Sequence, residues 1–567
     1  MHKPWLKHYP AEVPVTSEYP RMNLAKFLLQ TTARHPDHAA LYFLGKTMTY
    51  RELLDASFRF ANALRRIGIT RGERVAIMLP NCPQAVIAYY GALMIGAVVV
   101  QTNPLYMERE LLHQLKDSGA VSIVTLDILF RRVAQVRDQT DLQTIIVTSI
   151  QDYLPFPKNL LYPVAARKDG MDRTVTYGSG VLNMQEMMAC ACPAPILCEI
   201  DAERDLALLQ YTGGTTGLAK GCMLTHYNLI ANTMQSKLWQ YRNVDGHEKY
   251  LAALPFIHVF GMTVLMNLSI AAAGTLYLVP KFQITEILRL IDAHKITVFP
   301  GAPTMYVALI HHPQRSKYDL SSIKVCISGA APLPGEVQTQ FERLTGGRLI
   351  EGYGLTEASP VTHANNIWEK RKLGSIGIPF PDTDAKIVDP ESGEELPPGE
   401  IGELVVKGPQ VMAGYWNRPE ETAQALRGGW LYTGDMAKMD EDGFFYILDR
   451  KKDMIIAGGF NIYPREVEEV LYEHPAVQDA VVVGIPDAYR GETVKAYIVC
   501  KSDAAVSAEE LDAWCRTRLA SFKVPRQYEF RKELPKSIIG KVLRRKLLEE
   551  EMGKAKHAQG GNHEPRG

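Results

Sequence analysis

The sequence has no excess of either charge and no apolar segment at its N-terminus. Lys plus Arg and Asp plus Glu number 63 each among 567 residues, so there is no basic surplus of the kind that marks nucleic-acid-binding domains. Residues 1–5 lack the apolar core of a signal peptide. We therefore expect a cytoplasmic protein that binds no nucleic acid.

Long uninterrupted hydrophobic runs are also lacking. The apolar stretch at residues 251–280 is broken by Thr263, Asn267 and Gly274. A buried helix at 262–273 followed by a strand at 275–279 explains this stretch better than a helix that spans a bilayer.

The eight cysteines form no C-x-x-C pair and have no histidine partner at zinc-ligand spacing. Cys190, Cys192 and Cys198 could belong to a metal site, but a fourth ligand is missing and the segment is rich in proline. We expect free thiols at Cys82, Cys190, Cys192, Cys198, Cys222, Cys326, Cys500 and Cys515.

What the chain does contain is a glycine-rich loop, YTGGTTGLAKG, at residues 211–221. Glycines let backbone N–H groups converge on an anion, and the threonines and lysine add donors. The spacing differs from the P-loop of ATPases, and the alternative of a polar hairpin turn fits an eleven-residue pattern poorly. We expect a phosphate-binding loop formed by Thr212, Gly213, Gly214, Thr215, Thr216, Gly217 and Lys220.

Segments with helical periodicity alternate with short β-rich runs, which predicts parallel sheets with helices on their faces. Predicted helices lie at 51–67 and 84–95, and predicted strands at 74–78, 97–101, 121–125, 145–148, 297–299 and 324–328. Short strands and turns after residue 377 indicate a β-rich subdomain. We expect an α/β protein with a large N-terminal domain at 1–450 that carries a surface insertion at 151–195, a small mobile α+β C-terminal domain at 451–551, and a disordered tail at 552–567.

The glycine-rich loop and later motifs between about residues 23 and 545 resemble the adenylate-forming superfamily. Gly214 and Ala219 within the loop, and the opening segment at residues 5–14, are most similar to bacterial long-chain fatty acyl-CoA synthetases. The resemblance implies that a fatty acid and ATP form an acyl adenylate and pyrophosphate, and that CoA then displaces AMP. It also implies Mg²⁺ as a cofactor.

The resemblance implies roles for the motif EGYGLTE at residues 351–357. Tyr353, between Gly352 and Gly354, would stack on adenine, and Thr356 would contact the α-phosphate. Glu357 would bind Mg²⁺ together with Thr215. Gly329 and Ala330, in the motif SGAAPL, would form the adenine wall, and Lys220 would act in catalysis.

Further roles follow from motifs near the C-terminus. Asp435 and Arg450 would bind the ribose, although a turn aspartate and an ordinary solvated charge cluster are the alternatives. Lys452 would be the hinge. Lys541 would reach the α-phosphate and carboxylate during adenylation, and Gly458 with Gly459 would line the pantetheine tunnel.

By the same resemblance the acyl site would include His258, Val259, Phe260 and Gly261. For His258, gating of the acyl site and plain packing remain equal alternatives. Some long-chain members carry a tryptophan gate four residues after this histidine, and Met262 stands there in this chain.

Other activities remain open at this point. The enzyme could load a medium-chain or aryl acid onto CoA or a carrier protein, and a non-catalytic lipid-binding protein would leave the nucleotide motifs unexplained. Chain length and oligomeric state are undetermined, with a homodimer among the alternatives. The insertion predicts either weak peripheral membrane binding or packing of its loop, because apolar and basic side chains mix there: Leu154, Phe156, Leu160, Leu161 and Tyr162, with Lys158, Arg167 and Lys168.

Overall fold

The computed structural model describes residues 3–212, 219–457, 460–487, 490–501, 504–537 and 542–560. The chain divides into two compact units, one formed by residues 1–384 and 406–431, the other by residues 385–405 and 432–567. Both units combine helices with sheets, and the first is rich in parallel strands, so the predicted fold class is confirmed. Among the described residues, no helix combines the length and apolarity that crossing a membrane requires.

The first unit is built around an eight-stranded sheet whose buried side chains form much of its core. In spatial order its strands are Gly414–Tyr415, Lys220–Thr225, Leu206–Thr212, Val98–Gln101, Arg74–Met78, Ala120–Leu126, Thr144–Thr148 and Val181–Asn183. The six strands from Leu206–Thr212 to Val181–Asn183 are parallel, and the first two pair antiparallel.

Two four-stranded sheets also belong to this unit. One contains Lys249–Ala252, Thr275–Leu278, Ala39–Phe43 and Lys46–Thr49; the other contains Val325–Ser328, Arg348–Gly354, Val361–Ala364 and Ile378–Pro379. The predicted strand at 297–299 is reduced to Val298, which bridges Tyr250 and Val325 in parallel and so joins the two sheets.

The helices of the first unit begin and end where local chemistry allows. Tyr50–Arg66 starts at a capping box between Thr49 and Glu52, and the buried helix Pro83–Met94 packs against it because Gly91 leaves room for the ring of Phe60. The remaining helices are Lys26–Arg34, Glu108–Ser118, Phe130–Arg137, Lys158–Lys168, Met184–Ala189, His226–Trp239, Val259–Gly261, Leu268–Ala271, Ile284–His294, Pro303–Ile310, Gly335–Thr345 and Pro419–Ala425.

One group of strands lies mainly in the second unit and includes Asp384–Val388, Gly402–Lys407, Trp430–Met439 and Phe445–Arg450; the chain passes between the units inside each of the first three. The short strand Leu426–Arg427 belongs to the first unit and pairs with Trp430 and Leu431 at the start of Trp430–Met439. The other sheet of this unit contains Phe460–Ile462, Ile455–Ala457, Gly491–Cys500, Val477–Asp487 and Gln527–Phe530, with helices Pro464–Tyr472, Ala508–Arg516 and Arg544–Gly560.

Two segments expected to be irregular are helical. Lys158–Lys168 is a helix inside the insertion, and its periodicity is hidden in the sequence because several of its apolar side chains face solvent. The last helix, Arg544–Gly560, continues beyond Met552, where we expected a disordered tail. Lys554 there pairs with Glu529 and Glu551, which ties this part of the helix to the domain.

Candidate active site

The predicted phosphate loop connects two antiparallel strands of the large sheet. Leu206–Thr212 leads into it and Lys220–Thr225 leaves it, with Thr212 paired to Lys220. The end of the loop is held by His113, whose Nε2 lies 3.0 Å from the carbonyl oxygen of Ala219. Gly213, Gly214, Thr215, Thr216 and Gly217 lie outside the described residues.

Asp117 anchors the base of this hairpin. Its Oδ2 accepts a 2.7 Å hydrogen bond from the hydroxyl of Tyr211, and its Oδ1 accepts one of 2.9 Å from Arg418. The indole of Trp416 donates to the Asp117 carbonyl at 3.0 Å. Burial, together with the bond to Asp117, raises the pKa of Tyr211, so this hydroxyl stays protonated as a donor.

Lys220 and Glu357, which come from separate motifs, both interact with Tyr415. The Lys220 ammonium is 5.4 Å from the centre of the Tyr415 ring and 3.7 Å from Oε1 of Glu421. The Tyr415 hydroxyl donates a 2.7 Å hydrogen bond to Oε1 of Glu357. The structure therefore brings the loop lysine and the predicted metal-binding carboxylate to one place, through an aromatic residue that the sequence analysis missed.

Tyr415 reaches this position because the strand Gly414–Tyr415 pairs with residues 222 and 223 beside the loop. Cys222, the strand partner of Tyr415, is buried. Burial, and then the charge of Glu357, raise the pKa of the Cys222 thiol well above its ordinary value. We therefore expect Cys222 to remain a neutral thiol.

Tyr353 lies near the end of the strand Arg348–Gly354, and a short 3₁₀ turn, Thr356–Ala358, follows this strand. Tyr353 pairs with His363 on the neighbouring strand, and their ring centres are 6.0 Å apart, edge to face. Gly354 must lack a side chain, because a Cβ there would clash with the carbonyl of Pro360.

The predicted adenine wall and the predicted acyl segment are in contact. Gly329 follows the strand Val325–Ser328, and a Cβ at Gly329 would lie 3.0 Å from the ring of Phe260. The next residue, Ala330, has φ +70°, a left-handed conformation that is costly for alanine and often found at ligand sites. The two motifs thus form adjoining parts of one region.

The acyl segment itself begins a helix. His258 is the residue before Val259–Gly261, and Val259, Phe260 and Gly261 are buried. The helix continues as a π-helical stretch, Met262–Asn267, a form that is frequent at functional sites. Gln210, on the strand that enters the phosphate loop, donates to the Ile257 carbonyl at 2.8 Å and so links the two segments.

In the second unit, the two residues expected at the ribose are bonded to each other. Asp435 and Arg450 face each other on paired strands, and Arg450 Nε lies 2.9 Å from Asp435 Oδ1. Asp435 is only 3% exposed. Lys452 lies in the turn after this strand, whereas Gly458, Gly459 and Lys541 are outside the described residues.

Comparison with known proteins decides the family. Residues 28–416 match the family described as AMP-binding enzyme, and residues 466–541 match the AMP-binding enzyme C-terminal domain. The chain belongs to the AMP-binding enzyme family. The resemblance to adenylate-forming enzymes is thereby confirmed.

This AMP-binding enzyme is 55% identical to a long-chain-fatty-acid--CoA ligase of Bacillus subtilis (strain 168), over 97% of the chain and 98% of that relative. It is 40% identical to a long-chain-fatty-acid--CoA ligase of Escherichia coli O157:H7, over 98% of the chain and 99% of that relative.

Solved structures extend the comparison to proteins with bound nucleotides. ATP-bound MatB from Rhodopseudomonas palustris has a TM-score of 0.83 and 31% identity, covering 94% of this AMP-binding enzyme and 99% of that chain. The anthranilate CoA ligase AuaEII, in complex with anthranoyl-AMP, has a TM-score of 0.84 and 26% identity, covering 96% and 99%.

Proposed function

We propose that this AMP-binding enzyme is a long-chain fatty acid–CoA ligase. A carboxylate oxygen of the fatty acid attacks the α-phosphorus of ATP, and pyrophosphate leaves with the oxygen that bridged the α- and β-phosphates. The CoA sulfur then attacks the acyl carbon, and the bond to AMP breaks. The observation that carries the proposal is the meeting of Lys220, Tyr415 and Glu357 at the base of the phosphate loop.

The first step brings two anions together, so the site must neutralise charge and align the attacking oxygen. Lys220 and Lys541 supply mobile cations, and Thr356 donates to the α-phosphate. The carboxylate of Glu357 is a suitable oxygen ligand for Mg²⁺, and the Tyr415 bond orients it; Glu357 and Thr215 would hold the ion. When bound, Mg²⁺ supplies charge neutralisation at the phosphates.

The nucleoside and CoA occupy the remaining motifs. Tyr353, flanked by Gly352 and Gly354, stacks on adenine against the wall at residues 329 and 330. The remaining assignments are loop residues Thr212, Gly213, Gly214, Thr216 and Gly217 on the phosphates, Asp435 and Arg450 on the ribose, His258, Val259, Phe260 and Gly261 on the acyl chain, and Gly458 and Gly459 along the pantetheine arm.

The two steps use different orientations of a C-terminal domain. We assign the N-terminal domain to residues 1–450, the mobile domain to 451–551 and the hinge to Lys452. A few backbone rotations at a hinge are enough to turn a domain. In one orientation Lys541 serves adenylation, and in the other Gly458 and Gly459 serve thioester formation.

The function is tested by measuring AMP release with a panel of short-, medium- and long-chain fatty acids and aryl acids, each with and without CoA. We expect the highest kcat/KM with long-chain acids, and turnover that depends on CoA. Preference for an aryl or medium-chain acid, or turnover only with a carrier protein in place of CoA, would overturn the assignment.

We also propose that the enzyme is cytoplasmic and binds the inner face of the membrane weakly through its insertion. The apolar side chains of the insertion fall into two groups, one that packs against the protein and one that faces solvent. Leu154 is buried, and the Tyr162 ring lies 4.9 Å from the Arg173 guanidinium. The other side chains face solvent. These form the 156–164 face, made of Phe156, Leu160, Leu161 and Val164, which are 79%, 63%, 61% and 70% exposed.

The 156–164 face suits an anionic lipid surface. Leu160, Leu161 and Val164 share one side of a helix whose last turn carries Arg167 and Lys168. Long-chain fatty acids partition into bilayers, so a lipid-facing surface would collect the substrate. The apolar side chains would enter the interface, and the basic side chains would contact anionic headgroups.

Vesicle co-sedimentation tests this surface. The variant Phe156→Ser, Leu160→Ser, Leu161→Ser should lose binding to vesicles that contain phosphatidylglycerol, while keeping its melting temperature and its activity on a short soluble acid. The matched control replaces exposed apolar residues elsewhere, Val15→Ser, Val244→Ser and Leu373→Ser, and should still sediment. Equal sedimentation of both variants and the wild type would remove the 156–164 face from membrane binding.

A further inference from the structure

Asp449 lies three residues before the proposed hinge and uses both carboxylate oxygens to bind residues that follow it. Its Oδ2 accepts a 2.9 Å hydrogen bond from the backbone N–H of Arg465. Its Oδ1 accepts one of 3.1 Å from the guanidinium of Arg544. The Asp449 side chain is almost fully buried.

The bond to Arg465 stabilises the start of a helix. Arg465 is in the first turn of Pro464–Tyr472, whose preceding residue, Tyr463, provides no side-chain cap. Backbone N–H groups in a first turn have no partner within the helix, and the positive end of the helix dipole favours a carboxylate there. Asp449 therefore supplies from a distant segment the acceptor that a capping residue would provide.

A third bond joins the same two segments. The buried guanidinium of Arg465 donates to the carbonyl of Ile447 at 2.7 Å. We call these three bonds the 447–449 contacts: Asp449 to the Arg465 N–H, Asp449 to Arg544, and Ile447 to Arg465. All three connect residues before Lys452 with residues after it.

The other ion pairs of Arg544 do not connect residues on opposite sides of Lys452 in the sequence. Arg544 bonds both oxygens of Glu468, at 2.7 and 2.8 Å, and lies 3.6 Å from Asp453. Glu468 in turn accepts from the N–H of Val482 at 2.8 Å. These partners all follow Lys452, so a rotation about Lys452 leaves their bonds intact while it must break the 447–449 contacts.

We propose that Asp449 is a positioning residue that holds the small domain in the orientation used for adenylation. The inference rests on the proposed hinge at Lys452. Arg544 follows Lys541 by three residues, a span of at most about 11 Å, and Asp449 is adjacent to Arg450 of the ribose pair. Bonding Arg544 to Asp449 therefore holds the first residue of the last helix beside the residues proposed to bind the ribose, three positions after Lys541 in the sequence.

The test compares the rates of the two half-reactions in Asp449→Asn and in Glu468→Gln. Each substitution replaces a carboxylate by an amide of similar size and so weakens one of the bonds to Arg544. Asp449→Asn should slow adenylation, measured as fatty-acid-dependent pyrophosphate release, by about tenfold or more, since a charged hydrogen bond is lost at the contact that must re-form. Its rate of thioester formation from supplied acyl adenylate and CoA should change by less than about twofold.

Glu468→Gln is the matched control, because its bond to Arg544 does not cross the hinge. It should change the two half-reaction rates in equal proportion, whatever it does to stability. Hydrogen exchange gives a second readout at the Arg465 amide. Protection there should be high with a non-hydrolysable acyl-adenylate analogue and should fall when CoA is added, and Asp449→Asn should abolish the difference.

Equal loss of both half-reactions in Asp449→Asn, or an unchanged ratio, would overturn the positioning role. Wild-type exchange at Arg465 that does not respond to CoA would overturn the rotation itself. Failure of the proposed function is a separate result: the wild-type enzyme would then lack CoA-dependent AMP release before any variant is compared.

Discussion

The hydroxyl of Tyr415 donates a 2.7 Å hydrogen bond to Oε1 of Glu357, and the ring of the same tyrosine lies beneath the ammonium of Lys220. One side chain thus fixes the orientation of a carboxylate and provides an aromatic face for a cation. Cation–π contacts of this kind contribute about 0.5–2 kcal/mol depending on exposure. We regard Tyr415 as the residue that aligns the proposed metal ligand, Glu357, with the loop lysine, Lys220.

Tyr415→Phe keeps the ring and removes the hydroxyl. We expect the Mg²⁺ concentration for half-maximal adenylation to rise about fivefold, because a hydrogen bond to a carboxylate contributes roughly 1 kcal/mol or more. Glu357→Gln should raise it further, since the charge itself is removed. A Mg²⁺ titration of pyrophosphate release measures both variants, with Tyr177→Phe as the control, and an unchanged midpoint in both would place Glu357 outside the metal site.

Lys541→Ala should nearly abolish acyl-adenylate formation and leave the conversion of supplied acyl adenylate to acyl-CoA largely intact. The reason is that a mobile cation is needed only while the two anions approach each other. Pyrophosphate release and acyl-CoA formation are measured separately. Comparable losses in both assays would assign Lys541 to a general structural role.

Gly329→Ala should impair both nucleotide and acyl binding. The added Cβ would lie 3.0 Å from the Phe260 ring, so the ring must move. We expect KM for ATP and for the fatty acid to rise together, and the additional replacement Phe260→Leu to restore part of the loss. Isothermal titration with ATP, and initial rates across fatty-acid concentrations, check this. A change in the KM for ATP alone would mean that the two motifs act independently.

Acid should destabilise the enzyme through His226. Burial lowers the pKa of His226 from 6.5 to about 4, with the Asp205 charge opposing the shift, and Nδ1 accepts a 3.1 Å hydrogen bond from the Leu24 N–H. Below pH 6.5 His226 is protonated in the unfolded chain and remains neutral in the folded state. The free energy of unfolding therefore falls as the pH decreases toward 4. At about pH 5.5 the loss is on the order of 1 kcal/mol.

His226→Asn retains an acceptor close to Nδ1 and cannot take up the proton. The midpoint of urea-induced unfolding should therefore fall less between about pH 7.5 and 5.5 in this variant than in the wild type. His311→Gln, at an exposed position, is the control and should follow the wild-type profile. Parallel profiles for wild type and His226→Asn would show that His226 does not govern the acid response.

The sequence predicts those parts of the structure in which local pattern and burial agree. The predicted strand at 74–78 has the same bounds as the observed strand Arg74–Met78. A buried parallel strand appears in a sequence as a short apolar run between polar turns, which makes it easy to predict. The helix Lys158–Lys168 was missed, since Pro163 lies inside it and Leu160, Leu161 and Val164 point to solvent. A periodicity rule that assigns apolar residues to the core cannot detect such a helix.

In the candidate active site, too, some residues can be predicted from local patterns and others cannot. The glycine-rich loop and the motif at residues 351–357 carry their own local signatures. Tyr415 and Asp117 carry none, because each acts through contacts between distant segments: 58 residues separate Tyr415 from Glu357, and 94 separate Asp117 from Tyr211. Contacts of this range are set by how the sheet folds, and local patterns in the sequence do not reveal them.

Asp117 also bears on how the enzyme could be redesigned. Three side chains from two distant segments, Tyr211, Trp416 and Arg418, converge on this one residue. Libraries that vary the acyl segment near Phe260 leave this junction untouched, whereas a substitution at Asp117 would remove the side-chain acceptors of Tyr211 and Arg418 at once. Engineering for altered substrate range should therefore randomise the proposed acyl segment at residues 258–261 and keep Asp117 fixed, because residues with several simultaneous partners tolerate the least variation.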